Sequence, residues 1–134
     1  MVLLFRRGKC SFVVKWEIEH CTTTLAKFVT GVPHAVVIED TVSQVDLKSL
    51  GSYVRNHSLF SPAGTNVNFV QIDESDTLTI RTYERGVEDE TLACGTGMVA
   101  SALIYHQLNG IKPPVNVKFE TITFSEFSTR ITFL

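Results

Sequence analysis

The sequence has 134 residues, which is enough for one domain with a sizeable hydrophobic core. Hydrophobic residues make up 44% and charged residues 19%, proportions that are typical of a globular protein. The net charge is −2 without a basic patch, and no apolar run reaches the length of a membrane span. We therefore expect neither a nucleic-acid nor a membrane partner.

The cysteine content favours free thiols in a reducing compartment. The three cysteines, Cys10, Cys21 and Cys94, are an odd number at spacings that do not suggest a disulfide framework. The segment at the amino end is too short and has the wrong charge order for a secretion signal, so we expect a cytoplasmic protein. The sequence contains no Cys-x-x-Cys or His-x-x-x-His pair, and a metal site is therefore not expected.

Alternating and short apolar runs predict a series of strands separated by turns. The first run places Phe12, Val14 and Trp16 on one face and mainly charged residues on the other, as a half-buried strand does. In chain order, the predicted strands cover residues 11–19, 25–29, 34–38, 66–72, 78–83, 115–119, 121–124 and 130–133. Segments rich in glycine, proline or acidic residues predict turns at residues 31–33, 61–64 and 73–76.

The first predicted helix is amphipathic. Asp46 can accept hydrogen bonds from its first turn, and Leu47, Leu50 and Val54 lie on one stripe. The polar residues between them, among them Lys48, would face water. This helix should therefore cover one face of the predicted strands.

The second predicted helix includes residues 98–108 and is apolar on nearly every side, with Ser101 as the one polar residue of its first two turns. Such a helix is normally buried. Asn109-Gly110 predicts a left-handed end, and the prolines that follow forbid continuation. A mostly antiparallel sheet curled around this helix would cover it, so the predicted fold class is α+β.

One cysteine lies where a glycine-rich turn meets this buried helix. The helix is predicted to begin at Cys94, where unpaired backbone N–H groups and the positive end of the helix dipole favour a thiolate. The same helix end suits a bound carboxylate, and Gly95 and Gly97 would let a ligand approach the backbone closely. The alternative is that Cys94 is a small buried apolar residue without chemistry, as free cysteines often are.

The residues around Cys94 argue against several uses of a thiolate. The residues that follow include no arginine, which a phosphate-cleaving cysteine needs, and no lysine follows the glycines, as a nucleotide-phosphate loop requires. Because the motif has no lysine to form a Schiff base, a pyridoxal cofactor is not indicated. A hydrolytic pair of Cys94 with His34, His57 or His106 stays open, although His106 lies about three helical turns away.

A thiolate can also act as a general base. Removing a proton next to a carboxylate is difficult, and a helix end that binds this carboxylate would stabilise the developing charge. Arg85, ahead of the turn, could bind a second carboxylate through two hydrogen bonds, and Glu84 could orient an ammonium group or hold the loop. Taken alone, Glu84 and Arg85 are more simply explained as a surface salt bridge of little energetic value.

A set of motifs occurs in a specific order between about residue 30 and about residue 108. They are Gly31-Val32-Pro33-His34-Ala35-Val36, Phe60 with Gly64-Thr65-Asn66-Val67-Asn68-Phe69, Tyr83-Glu84-Arg85-Gly86, Glu90-Thr91 and Ala93-Cys94-Gly95-Thr96-Gly97. In combination they resemble motifs of diaminopimelate epimerase. Proline racemases share a Cys-Gly-Thr-Gly core but not the Glu-Arg-Gly and Glu-Thr segments.

The resemblance implies a cofactor-independent epimerase that interconverts LL- and meso-diaminopimelate in lysine and cell-wall precursor synthesis. One cysteine thiolate removes the α-proton, and a second cysteine thiol delivers a proton to the opposite face; by motif, Cys94 is one of the two. The implied fold has two similar halves, each a β-shell around a buried helix, with the active site between them. The implied substrate-binding residues are Asn66, Glu84, Arg85 (on the distal carboxylate), and Gly95 and Thr96 (on the reacting carboxylate through their backbone N–H groups).

Three features depart from the family pattern. The family's other cysteine occurs in a Cys-Gly-Asn-Gly setting, which neither Cys10 nor Cys21 has. Val32 stands where a substrate-binding asparagine is usual, which removes one polar contact. The usual Gly-Gly-rich strand pair is absent from residues 115–134. The chain therefore resembles the carboxyl-terminal half alone, as a single domain over residues 1–134.

These departures lead to three hypotheses, because a two-base epimerase with one base cannot invert its substrate. The first is a half-enzyme, either a fragment or a split subunit, whose partner is an amino-terminal half that carries the second cysteine. The second is a non-catalytic remnant that binds a carboxylate or pairs with another chain. The third is an exchange of the substrate α-proton by one thiolate with retention of configuration.

Overall fold

Eight strands form one mixed sheet in the computed structural model, which describes residues 10–18, 21–30, 32–92, 95–120 and 127–132. Two α-helices and two short 3-10 turns (Val42–Gln44 and Ser58–Phe60) accompany the sheet. The strands are β1 (Cys10–Ile18), β2 (Cys21–Thr30), β3 (Val32–Ile38), β4 (Asn66–Ile72), β5 (Leu78–Glu84), β6 (Asp89–Thr91), β7 (Val115–Phe119) and β8 (Phe127–Ile131), and the helices are α1 (Leu47–Arg55) and α2 (Gly95–Asn109).

The sheet has the order β1-β2-β3-β4-β5-β7-β8, with β6 paired to β5 outside this path. Its neighbours are antiparallel except for the parallel pairs β3–β4 and β5–β7. Parallel strands need a crossover connection, and here α1 connects β3 to β4 while α2 lies between β5 and β7 in the chain. The sheet is open, since β1 and β8 are the two ends of the described path. The predicted α+β class with a mostly antiparallel sheet is confirmed.

The two helices pack on opposite faces of the sheet. The α2 face, which includes Val36, Val70 and Ile80, packs against α2, whereas the α1 face, which includes Val37 and Phe69, packs beneath α1. Alternate residues of a strand point to opposite faces, so each central strand contributes to both cores. The sheet curls around α2, because this helix contacts six strands: β2, β3, β4, β5, β7 and β8.

The helix ends follow the sequence pattern. The carboxylate of Asp46 accepts a hydrogen bond from the backbone N–H of Ser49 at 3.3 Å, as predicted for the start of α1. α2 ends at Asn109, and Gly110, which follows it, has a φ of +69° and donates its N–H to the carbonyl of His106 at 2.8 Å. The buried hydroxyl of Ser101 donates to the carbonyl of Gly97 at 2.8 Å, so burial of this polar residue leaves its hydroxyl paired.

The start of β3 corrects one prediction. Val32 and Pro33, predicted as part of a turn, lie in β3 opposite Thr30 and Val29 of β2. The proline is tolerated because the ladder to β4 begins only at His34, so its missing N–H is not needed there.

The strand nearest the carboxyl end begins earlier than predicted. The predicted strand at residues 121–124 lies outside the described residues, and the last strand is Phe127–Ile131 rather than residues 130–133. Within the described part of the chain, no helix combines the length and apolar character that crossing a bilayer requires.

Candidate active site

The α2 face of the sheet becomes polar where α2 begins. Further along the strands this face is apolar, but near the first turn of α2 it carries buried side chains that can form hydrogen bonds. β3–β4 pairing places His34 beside Asn66, and β4–β5 pairing places Asn68 beside Thr82. Three neighbouring strands thus supply polar groups beneath one helix end. The buried polar residues of this group are His34, Asn66, Asn68 and Thr82.

Three of these polar side chains, together with Thr96 of α2, form a continuous hydrogen-bonded line. The hydroxyl of Thr82 donates to Oδ1 of Asn68 at 3.0 Å, and Nδ2 of Asn68 lies 3.2 Å from Nδ1 of His34. The same Nδ2 donates to the carbonyl of Ala35 at 3.2 Å. Nε2 of His34 lies 2.9 Å from Oγ1 of Thr96, the second residue of α2. The start of the helix is therefore tied to the sheet through side chains.

The two glycines at the start of α2 have different surroundings. A Cβ on Gly97 would lie 2.5 Å from Oδ1 of Asn68 and 3.4 Å from Cε1 of His34, so the helix backbone lies directly on these side chains. The close approach expected at Gly97 is therefore made by the protein itself and not by a ligand. Gly95, by contrast, is exposed, and among the described residues a Cβ there would meet only Cε of Met98, at 4.0 Å. The described residues therefore leave the surface at Gly95 open.

Asn66 and Arg85, both implied by motif as substrate-binding residues, lie together. Oδ1 of Asn66 accepts a hydrogen bond from the backbone N–H of Arg85 at 2.8 Å, and the guanidinium of Arg85 donates to the carbonyl of Ala63 at 3.2 Å. Glu84 ends β5 and is half-buried. The ion pairs of the described residues do not include one between Glu84 and Arg85, so the interpretation as a surface salt bridge is wrong.

His34 is neutral at neutral pH in this environment. Its side chain is fully buried, and this burial, together with the positive charge of Arg85, lowers the pKa of its imidazole from 6.5 to about 4. A neutral imidazole has one N–H donor and one acceptor nitrogen. His34 therefore acts here as a hydrogen-bonding group rather than as a charge.

The other two histidines considered for a Cys–His pair, His57 and His106, lie elsewhere. Nδ1 of His57 accepts the N–H of Leu59 at the start of a 3-10 turn, and His106 contacts the carbonyl of Ile111 near the end of α2. Of the three histidines considered for a Cys–His pair, His34 alone contacts the first turn of α2 in the described part of the chain. Among the described residues, no group of three or more potential metal ligands occurs.

A buried ion pair holds the strand that leads toward the helix. Arg81 is 4% exposed and makes two hydrogen bonds with the carboxylate of Glu90, at 2.8 and 2.9 Å. Its remaining nitrogen donates to the carbonyls of Val42 and Val45. This clamp joins β5, β6 and the 3-10 turn before α1, and it fixes the segment that approaches the glycine-rich turn.

Cys94 lies outside the described residues. Its described neighbours in the chain are Leu92, which is 55% exposed, and Gly95, which is also exposed. The hydroxyl of Thr91 lies near this segment in the chain. Its Oγ1 is buried and has no hydrogen-bond partner in the described part of the chain.

Sequence reasoning missed the roles of Asn68 and Thr82. Asn68 lies in one of the family motifs but is not among the predicted site residues. A usable signal was present, because Asn66 and Asn68 lie two apart on a strand that is otherwise mostly apolar. Such a spacing places both amides on one face, and buried amides need partners.

Comparisons with known proteins agree on one family. A family model described as diaminopimelate epimerase matches residues 27–122. The diaminopimelate epimerase of Aquifex aeolicus is 53% identical over 104 residues, which cover 72% of this chain and 37% of that protein. The enzyme of the same name from Chlorobaculum tepidum is 50% identical over 82 residues, covering 61% and 32%. The chain thus spans about a third of the length of the curated relatives it matches.

Solved structures support the fold. A phenazine biosynthesis protein of the PhzF family from Enterococcus faecalis superposes with a TM-score of 0.51 at 13% identity, covering 75% of this chain and 34% of that protein. A second protein described as a phenazine biosynthesis protein, from Clostridium difficile, gives a TM-score of 0.50 at 17% identity, covering 76% and 36%. At these identities the likeness concerns the fold alone.

Proposed function

Because the chain belongs to the diaminopimelate epimerase family, we propose that it forms the carboxyl-terminal half of a cofactor-independent amino-acid epimerase. The substrate of this half-enzyme is diaminopimelate, and the reaction interconverts the LL and meso forms in the cytoplasm for lysine and cell-wall precursor synthesis. The partner is an amino-terminal half that carries the second cysteine. Residues 1–134 correspond in this proposal to a single domain.

The observation that carries the proposal is the start of α2, where Gly95 is exposed and Thr96 contacts His34. His34 lies beside Asn66 in the sheet, and Asn66 accepts the backbone N–H of Arg85. The N–H groups at the start of an α-helix have no partner within the helix, and the dipole favours an anion there. In the proposal, the N–H groups of Gly95 and Thr96 bind the carboxylate at the reacting carbon. Arg85 binds the distal carboxylate, and Glu84 and Asn66 complete the binding of the substrate.

The chemistry requires two protons to move on opposite faces of one carbon. The thiolate of Cys94 takes the α-proton, and the electron pair left on carbon is stabilised through the carboxylate by the helix N–H groups. The thiol of the second cysteine gives its proton to the other face, and the thiolate that results is ready for the reverse reaction. One cysteine alone can remove and return a proton but cannot invert the carbon.

The test mixes this chain with a candidate amino-terminal half in deuterium oxide and follows LL-diaminopimelate. We expect inversion with deuterium at the α-carbon only when both halves are present, and none with Cys94→Ala. Deuterium incorporation without inversion by this chain alone would indicate one-base exchange instead. If both halves are folded and the mixture neither inverts nor exchanges, the proposed activity is wrong.

A second candidate function is a non-catalytic module that binds a carboxylate or pairs with another chain. Two exposed apolar side chains near the site favour it: Val87, in the turn after β5, is 56% exposed, and Leu92 is 55% exposed. This candidate predicts that Cys94→Ser leaves both ligand affinity and partner affinity unchanged while no isomerisation is detected in any mixture.

A further inference from the structure

The orientation of the Asn68 side chain is determined by its neighbours. An amide has one end that accepts hydrogen bonds and one end that donates them. The carbonyl of Ala35 can only accept, so the atom of Asn68 that lies 3.2 Å from it must be the NH₂ group. The other end then accepts from the hydroxyl of Thr82 at 3.0 Å. Both contacts are buried and agree on one orientation of the amide.

This orientation in turn decides which nitrogen of His34 carries the proton. The NH₂ group of Asn68 faces Nδ1 of His34 at 3.2 Å and can only donate, so Nδ1 must present its lone pair. The proton of the neutral ring is then on Nε2. Nε2–H donates to Oγ1 of Thr96 at 2.9 Å, and the hydrogen of the Thr96 hydroxyl is consequently directed away from His34. All donors along the line thus point from the sheet toward α2.

We propose that Asn68 is a positioning residue: by holding His34 as the Nε2–H tautomer, it makes the Thr96 hydroxyl a hydrogen-bond donor for the carboxylate bound at the start of α2. The role in ligand binding rests on the proposed function above. With the opposite tautomer, Nε2 would accept the hydroxyl hydrogen of Thr96, and this hydrogen would no longer be directed toward an anion.

The close contact at Gly97 supports this role. The first turn of α2 packs closely on the amide of Asn68, since a Cβ on Gly97 would lie 2.5 Å from its Oδ1. The line is also shielded from solvent, since His34, Asn68 and Thr82 are each at most 2% exposed. Water therefore does not compete for these donors and acceptors, and the direction of the hydrogen bonds is kept.

The direct test is the protonation of the His34 ring nitrogens, read from long-range nitrogen–proton correlation spectra of the full chain. We expect a bare Nδ1 and a protonated Nε2 in the unaltered protein. Asn68→Asp has nearly the same shape but places an acceptor opposite Nδ1, so Nδ1 should become protonated. Asn68→Leu removes the donor, and the preference for the Nε2–H tautomer should be lost. A protonated Nδ1 in the unaltered chain, or a bare Nδ1 in Asn68→Asp, would overturn the proposal.

Thr82→Val is the matched control, since it removes a hydrogen bond to Asn68 while the amide still faces Ala35 and His34. In Thr82→Val, His34 should keep the Nε2–H tautomer that it has in the unaltered chain. The dissociation constant for meso-diaminopimelate is measured by calorimetry with this chain and the candidate amino-terminal half together. It should rise about tenfold in Asn68→Leu, which corresponds to the loss of one hydrogen bond to a charged group, and stay within about twofold in Thr82→Val.

The outcomes separate the two proposals. Equal weakening of binding in Asn68→Leu and Thr82→Val would indicate a merely structural role for Asn68, and unchanged binding in Asn68→Leu would refute the link between His34 and the ligand. If the unaltered chain, mixed with the candidate amino-terminal half, binds no diaminopimelate, the proposed function is at fault. The spectra of the unaltered chain and of Asn68→Asp still decide in that case whether Asn68 sets the tautomer.

Discussion

Acidification should destabilise the chain mainly through His34. The buried ring has a pKa of about 4 in the folded chain, against 6.5 as the ordinary value. The unfolded state therefore binds a proton between these pH values that the folded state does not bind. The stabilising contribution is complete above about pH 6.5 and is lost as the pH falls toward 4, and the difference corresponds to about 3 kcal/mol of unfolding free energy.

Urea unfolding followed by circular dichroism at several pH values between 7 and 4 measures this loss. In His34→Gln the loss over this interval should be much smaller, whereas His57→Asn, which alters a half-buried ring in a 3-10 turn, should keep it. The interval stops at pH 4 because hydrogen bonds lower the pKa of the Asp73 carboxyl, so that carboxylate adds its own acid dependence below this pH. Equal losses in the unaltered protein and in His34→Gln would refute the reasoning.

Three further changes test packing near the site through the unfolding free energy. Gly97→Ala places a methyl group 2.5 Å from a buried amide oxygen and should cost about 1–3 kcal/mol; no loss would mean that this amide is mobile. Thr91→Val removes a buried, unpaired hydroxyl and should stabilise the chain by about 1 kcal/mol; destabilisation would reveal a partner for that hydroxyl. Glu90→Ala leaves the 4%-exposed Arg81 without its carboxylate and should cost about 3–5 kcal/mol, whereas Lys48→Ala, at an exposed pair, should cost less than about 1 kcal/mol; similar costs would contradict the burial argument.

Elements with local signals could be predicted from the sequence. The strand Asn66–Ile72 and the strand Val115–Phe119 have the predicted bounds, because alternating residues lie between clear turn residues. α1 begins after Asp46 because its carboxylate accepts an N–H of the first turn. α2 ends before Gly110 because glycine adopts a positive φ without strain. In each case, residues close in sequence to the end of the element determine where it begins or ends.

The neighbours of a strand could not be predicted in this way. His34 and Asn66 are adjacent because β3 and β4 are parallel and α1 crosses between them, and no local pattern specifies that pairing. Asn68 meets Thr82 across 14 residues and His34 across 34 residues. The resemblance to a family supplied residues at the expected site, such as Asn66 and Arg85, but not the side chains that support them.

The two glycines of the Cys-Gly-Thr-Gly segment meet different requirements: access from outside at Gly95 and close packing on the sheet at Gly97. Its first glycine, Gly95, is exposed, and a Cβ there would meet only Met98 among the described residues. In the proposed function, the absence of a side chain at Gly95 leaves room for the bound carboxylate. Its second glycine, Gly97, is buried on Asn68, so the absence of a side chain there lets the sheet hold the helix. Thr96 lies between them and accepts the hydrogen bond of His34. A short segment can therefore be open to a ligand on one side and fixed by the core on the other. A site built on backbone N–H groups needs both properties, because its donors must be accessible and must stay in place.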